Sequence, residues 1–392
     1  MKTTTAQVIA DGQKYVMNTY GRLPIVIDKG EGCYVWDLDG NKYLDLVAGI
    51  AVNSLGHGHP AVVQAIKEQS EQLLHCSNLY WIENQVNLAK LLVEKSGLGK
   101  AFFCNSGAEA NEAAIKLARK WGKGEKYHFV VMQKSFHGRT LGSLAATAQE
   151  KYQKPFMPLP EGFTAVPLGD LEALEAAIRP ETCAVMLEPI QGESGINVPS
   201  VEYMQGVRAL CDKYGILMIL DEVQAGLGRT GKPFAFQNFG IVPDIISLAK
   251  AIANGVPMGA IVAKDEVADC FQPGDHASTF GGTPIATAAG LAACNILLDD
   301  AFLANVQETG EYFRAELRAI GERHPGLIKE VRGLGLMIGC ELTGSSKEAA
   351  TELLKRGVLV NSIGEHVLRF VPPLTITKAE IDSFMPILED VL

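Results

Sequence analysis

Lys250 and Asp221 are the residues whose placing suggests chemistry. Lys250 follows the strand-like run Asp244-Ile245-Ile246-Ser247-Leu248-Ala249, and Asp221 and Glu222 close the apolar run Ile216 to Leu220. An acid and a lysine thus stand at the carboxyl ends of expected parallel strands, where open α/β sheets place ligands. Burial disfavours the ammonium, so the neutral, nucleophilic amine becomes available. Such an amine condenses with an aldehyde cofactor. A carboxylate beside the ring nitrogen of pyridoxal phosphate (PLP) keeps that nitrogen protonated, and the ring then accepts electrons from carbon. Asp221 has the right chemistry for this. For the lysine taken alone, a solvated strand end is the plainer reading.

PLP chemistry also needs a phosphate cradle. The short strand Ala101-Phe102-Phe103-Cys104 leads into Asn105-Ser106-Gly107-Ala108-Glu109-Ala110-Asn111 and a helix. Ser106 is a good N-cap, and free N–H groups with the helix dipole favour an anion there, although a plain capped helix fits the same pattern. After the strand His128 to Met132 come Phe136, which can stack on a flat ring, and Arg139, which can hold a carboxylate bidentately. Either could be packing or surface charge. The strand Thr182 to Leu187 ends in Glu188-Pro189-Ile190-Gln191-Gly192-Glu193. Glu188 and Glu193 as a hydrolytic acid pair is a weak third reading. Gly226 to Pro233 nearly fits a P-loop, but Pro233 stands where a Ser or Thr would hold magnesium, which argues against an NTPase. His57 and His59 lack a partner at ligand spacing, so no metal site is expected.

These residues need a large scaffold. The chain has 392 residues, 47% of them hydrophobic, enough for a large core and a second, smaller domain. Net charge is −10 without a Lys/Arg run, which argues against nucleic acid as a partner. Eight scattered cysteines with no C-x-x-C pair read as reduced core thiols of a cytoplasmic protein. Met1 to Asn18 is polar and lacks an apolar signal region. Ala277 to Leu298 is free of charge, but Gly281, Gly282 and Pro284 break it, so no membrane span is expected. Strands alternate with helices (Leu171–Ile178, Tyr203–Tyr214) in a doubly wound α/β pattern. Asp39-Gly40 marks a hairpin. From about Phe302 the pattern changes to that of a smaller α+β unit.

The motifs together resemble the class III (ω-amino-acid) aminotransferases of PLP fold type I, from Tyr20 to Thr375. The resemblance is carried by Asn105 to Asn111, Phe136-His137-Gly138-Arg139-Thr140, Glu188 to Glu193, Asp221-Glu222-Val223-Gln224, Lys250, Ser278-Thr279-Phe280-Gly281-Gly282 and Arg369-Phe370-Val371-Pro372-Pro373. Thr283 departs from the asparagine usual after the glycine pair. The fold implied is α/β: a large PLP-binding domain with a mainly parallel central sheet (61–300), a C-terminal small α+β domain (301–392) and an N-terminal segment (1–60) packing with the small domain. The resemblance implies that Lys250 bonds PLP and shuttles the proton, Asp221 pairs with the ring nitrogen, Gln224 reaches the ring hydroxyl and Phe136 stacks on the ring. Ser106, Gly107 and Ala108 hold the phosphate, joined by Thr279 from the partner subunit of a homodimer. Arg139 and Arg369 take substrate carboxylates, and Glu193 masks Arg369 while the amine donor is bound. Ser278 and Tyr20 belong to the substrate pocket. The reaction implied moves the terminal amine of N2-acetylornithine to 2-oxoglutarate, giving glutamate. Ornithine, succinylornithine, succinyl-diaminopimelate or 4-aminobutyrate are alternative donors. A fold-keeping binding protein without catalysis is a further alternative, disfavoured by the presence of both Lys250 and Asp221.

Overall fold

The structure, a computed structural model, describes residues 3–392. Met1 and Lys2 of the polar N-terminal stretch lie outside the described residues. Thr5–Tyr15 forms a helix with no buried residue. Strands β1 (Ile27–Glu31), β2 (Tyr34–Asp37) and β3 (Lys42–Asp45) make an antiparallel meander. The β2–β3 turn is shaped by Asp37, whose carboxylate accepts from the backbone N–H groups of Asp39 and Asn41, and by Gly40 at φ +87°. His57 bonds Asp45 Oδ2 at 2.7 Å, giving that loop histidine a structural partner.

The central sheet has seven strands: β4 (Lys100–Cys104), β5 (His128–Met132), β6 (Phe163–Val166), β7 (Thr182–Leu187), β8 (Leu217–Asp221), β9 (Ile245–Leu248) and β10 (Gly259–Ala263). Their order is β4-β10-β9-β8-β7-β5-β6. β10 is antiparallel to both neighbours and the other pairs are parallel. Every strand except β10 therefore points its carboxyl end at the same edge. β5, β7 and β8 are buried along their whole length, which is why they read as unbroken apolar runs rather than alternating ones. The helix Gly107–Trp121 buries Ala110, Ala113, Ala114, Leu117 and Ala118 against this sheet. β6, β10 and the helix Glu83–Ser96 emerge only in the structure. β6 is a four-residue strand at the sheet edge, and β10 is a short small-residue run with no alternation to mark it.

A third sheet comprises β11 (Ile328–Leu334), β12 (Met337–Leu342), β14 (Asn361–Ile363) and β15 (Val367–Phe370), in the order β11-β12-β15-β14. The short β13 (Val358–Leu359) instead pairs in parallel with β3, completing the N-terminal meander with a strand from the C-terminal region. Phe370 packs against Phe313 and Phe384, from the helices Asp300–Arg323 and Lys378–Val391, at ring separations of 5.2 and 5.7 Å. The turns from Gly226 to Pro233 start no α-helix. Arg229 there is fully buried and donates to the carbonyls of Leu336 and Pro372 and to Ser54 Oγ, tying this loop to the segment after β15. Among the described residues no single helix is long and apolar enough to cross a membrane. The charge-free stretch becomes the helix Pro284–Leu297, which packs on the helices Pro60–Gln72 and Glu83–Ser96.

Candidate active site

The carboxyl ends of β4, β5, β7, β8 and β9 bring their loops around one cavity of about 390 Å³. Lys250, Asp221, Ser106, Phe136, Arg139 and Glu193 are among its lining residues. Asp221 ends β8, and the others stand in the segments that follow β4, β5, β7 and β9.

Lys250 opens a short 3₁₀ turn after β9, with its backbone at φ +51°. That left-handed conformation is strained for a residue with a Cβ and is typical of functional positions. The amine is buried, and burial pulls its pKa below the ordinary lysine value against the opposing pull of Glu193 and Asp221. No salt bridge claims it among the described residues. A buried, unclaimed amine of lowered pKa is a ready nucleophile and proton carrier.

Asp221 is fixed by three donors. Oδ2 accepts from Asn111 Nδ2 at 2.8 Å and from His137 Nδ1 at 2.7 Å, and Oδ1 accepts from the Val223 N–H at 3.0 Å. Burial opposes charge on His137, yet the hydrogen bond and charge of Asp221 raise its pKa above the usual value. The result is a held carboxylate suited to a cationic ring nitrogen. His137 and Asn111 had no role in the sequence reading. The signal that could have found Asn111 is a polar residue on the otherwise apolar, buried face of its helix.

Ser106 caps the helix, its Oγ accepting from Glu109 N at 3.2 Å. At Gly107 an added Cβ would stand 2.8 Å from Val223 Cγ1, so the turn takes only glycine, and Ala108 lines the cavity beside it. Small residues at a capped helix N-terminus, a lysine of lowered pKa and a fixed carboxylate line one cavity and suit pyridoxal phosphate: an anion end, an aldehyde end and a ring nitrogen. Phe136 is half-buried, and its N–H donates to Glu188 Oε1 at 2.9 Å. Glu188 also accepts from Gly192 N at 3.1 Å, and burial pushes its pKa up to about 7. It therefore ties the loops after β5 and β7 together.

Arg369, on β15, donates from Nη1 to Glu193 Oε1 at 2.6 Å and to Gln224 Oε1 at 3.2 Å, and from Nη2 to Asn361 Oδ1 at 3.1 Å. Gln224 Nε2 also donates to Glu193 Oε1, at 2.9 Å, so both ends of the Gln224 amide serve this pair. The arginine side chain is 3% exposed and that of Glu193 is 26% exposed, so one partner is fixed and the other has room to turn. Burial would raise the Glu193 pKa, but Arg369 and Lys250 hold it below the usual range. Arg139 is exposed on the cavity side, its guanidinium 4.0 Å from the Tyr152 ring centre and 5.4 Å from that of Phe136. Ser278 accepts from Asn105 Nδ2 at 3.0 Å. Thr279 and Tyr20 are exposed, and neither lines the cavity of its own chain.

The family model described as "Aminotransferase class-III" matches residues 15–392. The chain is 55% identical to the acetylornithine aminotransferase of Caldanaerobacter subterraneus subsp. tengcongensis, over 97% of this chain and 98% of that protein. It is 50% identical to the acetylornithine aminotransferase of Methanocaldococcus jannaschii, over 97% and 96%. Among solved structures, the ornithine aminotransferase of Toxoplasma gondii, described with partial occupancy of PLP at its active site, superposes with a TM-score of 0.94 at 33% identity, covering 99% of this chain and 94% of that one. A match of that extent, on a fold type I scaffold whose strand ends assemble this cavity, means that the chain belongs to the class III aminotransferases.

Proposed function

We propose that this protein transfers the terminal amino group of N2-acetylornithine to 2-oxoglutarate, giving N-acetylglutamate 5-semialdehyde and glutamate, a step in arginine biosynthesis. Its cofactor is pyridoxal 5'-phosphate. The observation that carries the reading is the Glu193–Arg369 pair beside Lys250. A site able to hide an arginine suits an enzyme that alternates a donor bearing no carboxylate at its reacting carbon with a dicarboxylate acceptor. The choice of donor is supported by the two acetylornithine aminotransferases about half identical to this chain. Profiling amino donors against 2-oxoglutarate tests it: acetylornithine should lead ornithine, succinyl-diaminopimelate and 4-aminobutyrate in kcat/KM by about tenfold or more. Another donor in the lead would replace the assignment.

When bound, the cofactor supplies an aldehyde that bonds amines and a ring that takes up the electron pair left as a proton leaves carbon. Ser106, Gly107 and Ala108 would hold its phosphate, Asp221 its ring nitrogen, Phe136 its ring face and Gln224 its hydroxyl. Lys250 Nζ would take up the proton that leaves the substrate carbon and hold it for return. Arg139 binds the carboxylate distant from the reacting amine. Glu193 neutralises Arg369 during the donor half-reaction. In the other half, the α-carboxylate of glutamate displaces Glu193, which an exchangeable, partly solvated pair worth on the order of 1 kcal/mol permits.

The active unit in this reading is a cytoplasmic homodimer. Free cysteines, six of eight buried, support a reducing compartment. Trp81 is 92% exposed and Leu79 83%, and Phe280 is exposed as well. Asn78 donates to the carbonyls of Ser278 and Gly281, so the two segments are joined. A contiguous apolar patch of this kind asks for a cover, and a second copy would carry Thr279 to its neighbour's cavity. We read 61–300 as the cofactor domain, and 1–60 as packing with the small domain 301–392 through the β3–β13 pair. Mixing Lys250→Ala and Thr279→Ala subunits tests the crossing. Each hybrid dimer should hold one site with both lesions and one with neither, so mixtures should exceed both parents in activity. Mixtures no better than the parents would return Thr279 to its own subunit.

A further inference from the structure

Glu193 sits on a closed loop. Gln191 and Asn197 exchange backbone hydrogen bonds of 3.0 and 3.1 Å across its base. Ile196 is held at φ +58°, which a β-branched residue adopts only where its surroundings enforce it, and its side chain is buried in a cluster with Ile190, Met337 and Val371. From the third sheet, Arg332 donates to Gly195 O from Nε at 3.0 Å and from Nη2 at 2.7 Å, and to Ile196 O from Nε at 3.2 Å. Its Nη1 donates to Glu330 at 2.7 Å and Glu341 at 2.6 Å, which fixes its aim. Arg332 does not line the cavity.

The register of the sheet explains how the arginine reaches the loop. Arg332 stands opposite Gly339, Gly339 opposite Arg369, and Arg369 opposite Asn361, so all four share one face. Gly339 leaves the gap in which the loop lies. A Cβ there would stand 3.0 Å from Ile196 Cβ and 3.1 Å from Gly195 O. The loop thus rests on this row with Arg332 gripping its shoulder. Arg369 takes its tip, donating to Gly192 O at 3.1 Å and to Glu193.

We propose that Arg332 is a positioning residue for the alternation of substrates. By clamping the carbonyls of Gly195 and Ile196 it holds the loop backbone still, so that only the Glu193 side chain turns between masking Arg369 and releasing it. The proposal rests on the reading of Glu193 as the mask. Re-forming the masked state then orders one side chain, which costs far less than ordering the whole loop. Without the clamp the masked state loses ground, Arg369 is free more of the time, and α-carboxylate substrates gain over the donor. The shared face also makes Gly339 part of the device, since any side chain there lifts the loop from its seat.

Single-turnover rates with acetylornithine and with glutamate test this in the holoenzyme, alongside calorimetric binding of glutarate, a dicarboxylate with no amine. Glu193→Ala and Arg332→Gln should each raise the glutamate-to-acetylornithine rate ratio roughly fivefold, the scale of a partly solvated ion pair. Both should tighten glutarate. The double variant should shift the ratio no further than Glu193→Ala alone, because both changes disable one device. Arg332→Lys should recover part of the ratio. Gly339→Ala should shift it in the same direction with the ion pairs of Arg332 intact, which keeps the test standing if Arg332→Gln folds poorly. An unmoved ratio, or equal slowing of both half-reactions, in Arg332→Gln and Gly339→Ala overturns the proposal while a shift in Glu193→Ala leaves the mask standing. An unmoved ratio in Glu193→Ala removes the mask itself, and the clamp with it.

Discussion

Lys250→Ala should lower transamination by about ten-thousand-fold, the upper range for a residue that moves the essential proton, and should abolish covalent attachment of the cofactor. Lys250 is the one lysine among the described residues that line the cavity, so no neighbour can take its place. Burial lowers its pKa, and that availability of the neutral amine is what both tasks need. The variant should fold normally. Alanine also carries a Cβ, so the strain at φ +51° is unchanged, and removing a buried amine relieves desolvation. The measurement is the yellow absorbance of the lysine-bound cofactor, which borohydride should bleach and fix to Lys250 in the wild type. The variant should show no such fixation. Trapping of the cofactor on a different lysine would refute the assignment.

Asp221→Asn should slow the donor half-reaction by roughly a hundredfold or more, the scale of removing a preorganised electrostatic partner. The cofactor should still bind, because the phosphate cradle and Lys250 are untouched. A second effect follows from the hydrogen bonds. Both carboxylate oxygens accept: Oδ2 from Asn111 and His137, Oδ1 from the Val223 N–H. An amide offers one acceptor, so in either orientation its NH₂ faces a donor. That mismatch should cost about 1–3 kcal/mol of stability, as for a buried polar group left unsatisfied. Thermal unfolding should register the loss, and stopped-flow absorbance the rate. A near-wild-type single turnover in a variant shown to be folded would mean that Asp221 does not serve the ring nitrogen.

Glu188 accepts from two backbone N–H groups, those of Phe136 and Gly192, and so joins the loops after β5 and β7. The resemblance implies a ring-hydroxyl partner in Gln224, and in the structure its amide lies between Glu193 and Arg369. It therefore braces the proposed mask from the cavity wall.

The sequence by itself determined the strand ends. β5, β7, β8 and β9 are buried on both faces, so each reads as a continuous apolar run, and the residue after each run is marked by its change of character. The ends of these runs point to Glu188, Asp221 and Lys250, the aromatic in the segment after β5 points to Phe136, and the N-cap rule points to Ser106. The tertiary structure alone decided which of these residues meet. His137 and Asn111 reach Asp221 from 84 and 110 residues away. Arg369 reaches Glu193 across 176 residues. The row Arg332–Gly339–Arg369–Asn361 exists only because three strand pairings fall in one register. Local spacing sets which way a side chain points from its own strand. Register is set by how whole faces pack, and a shift of one residue would have turned Arg369 away from Glu193.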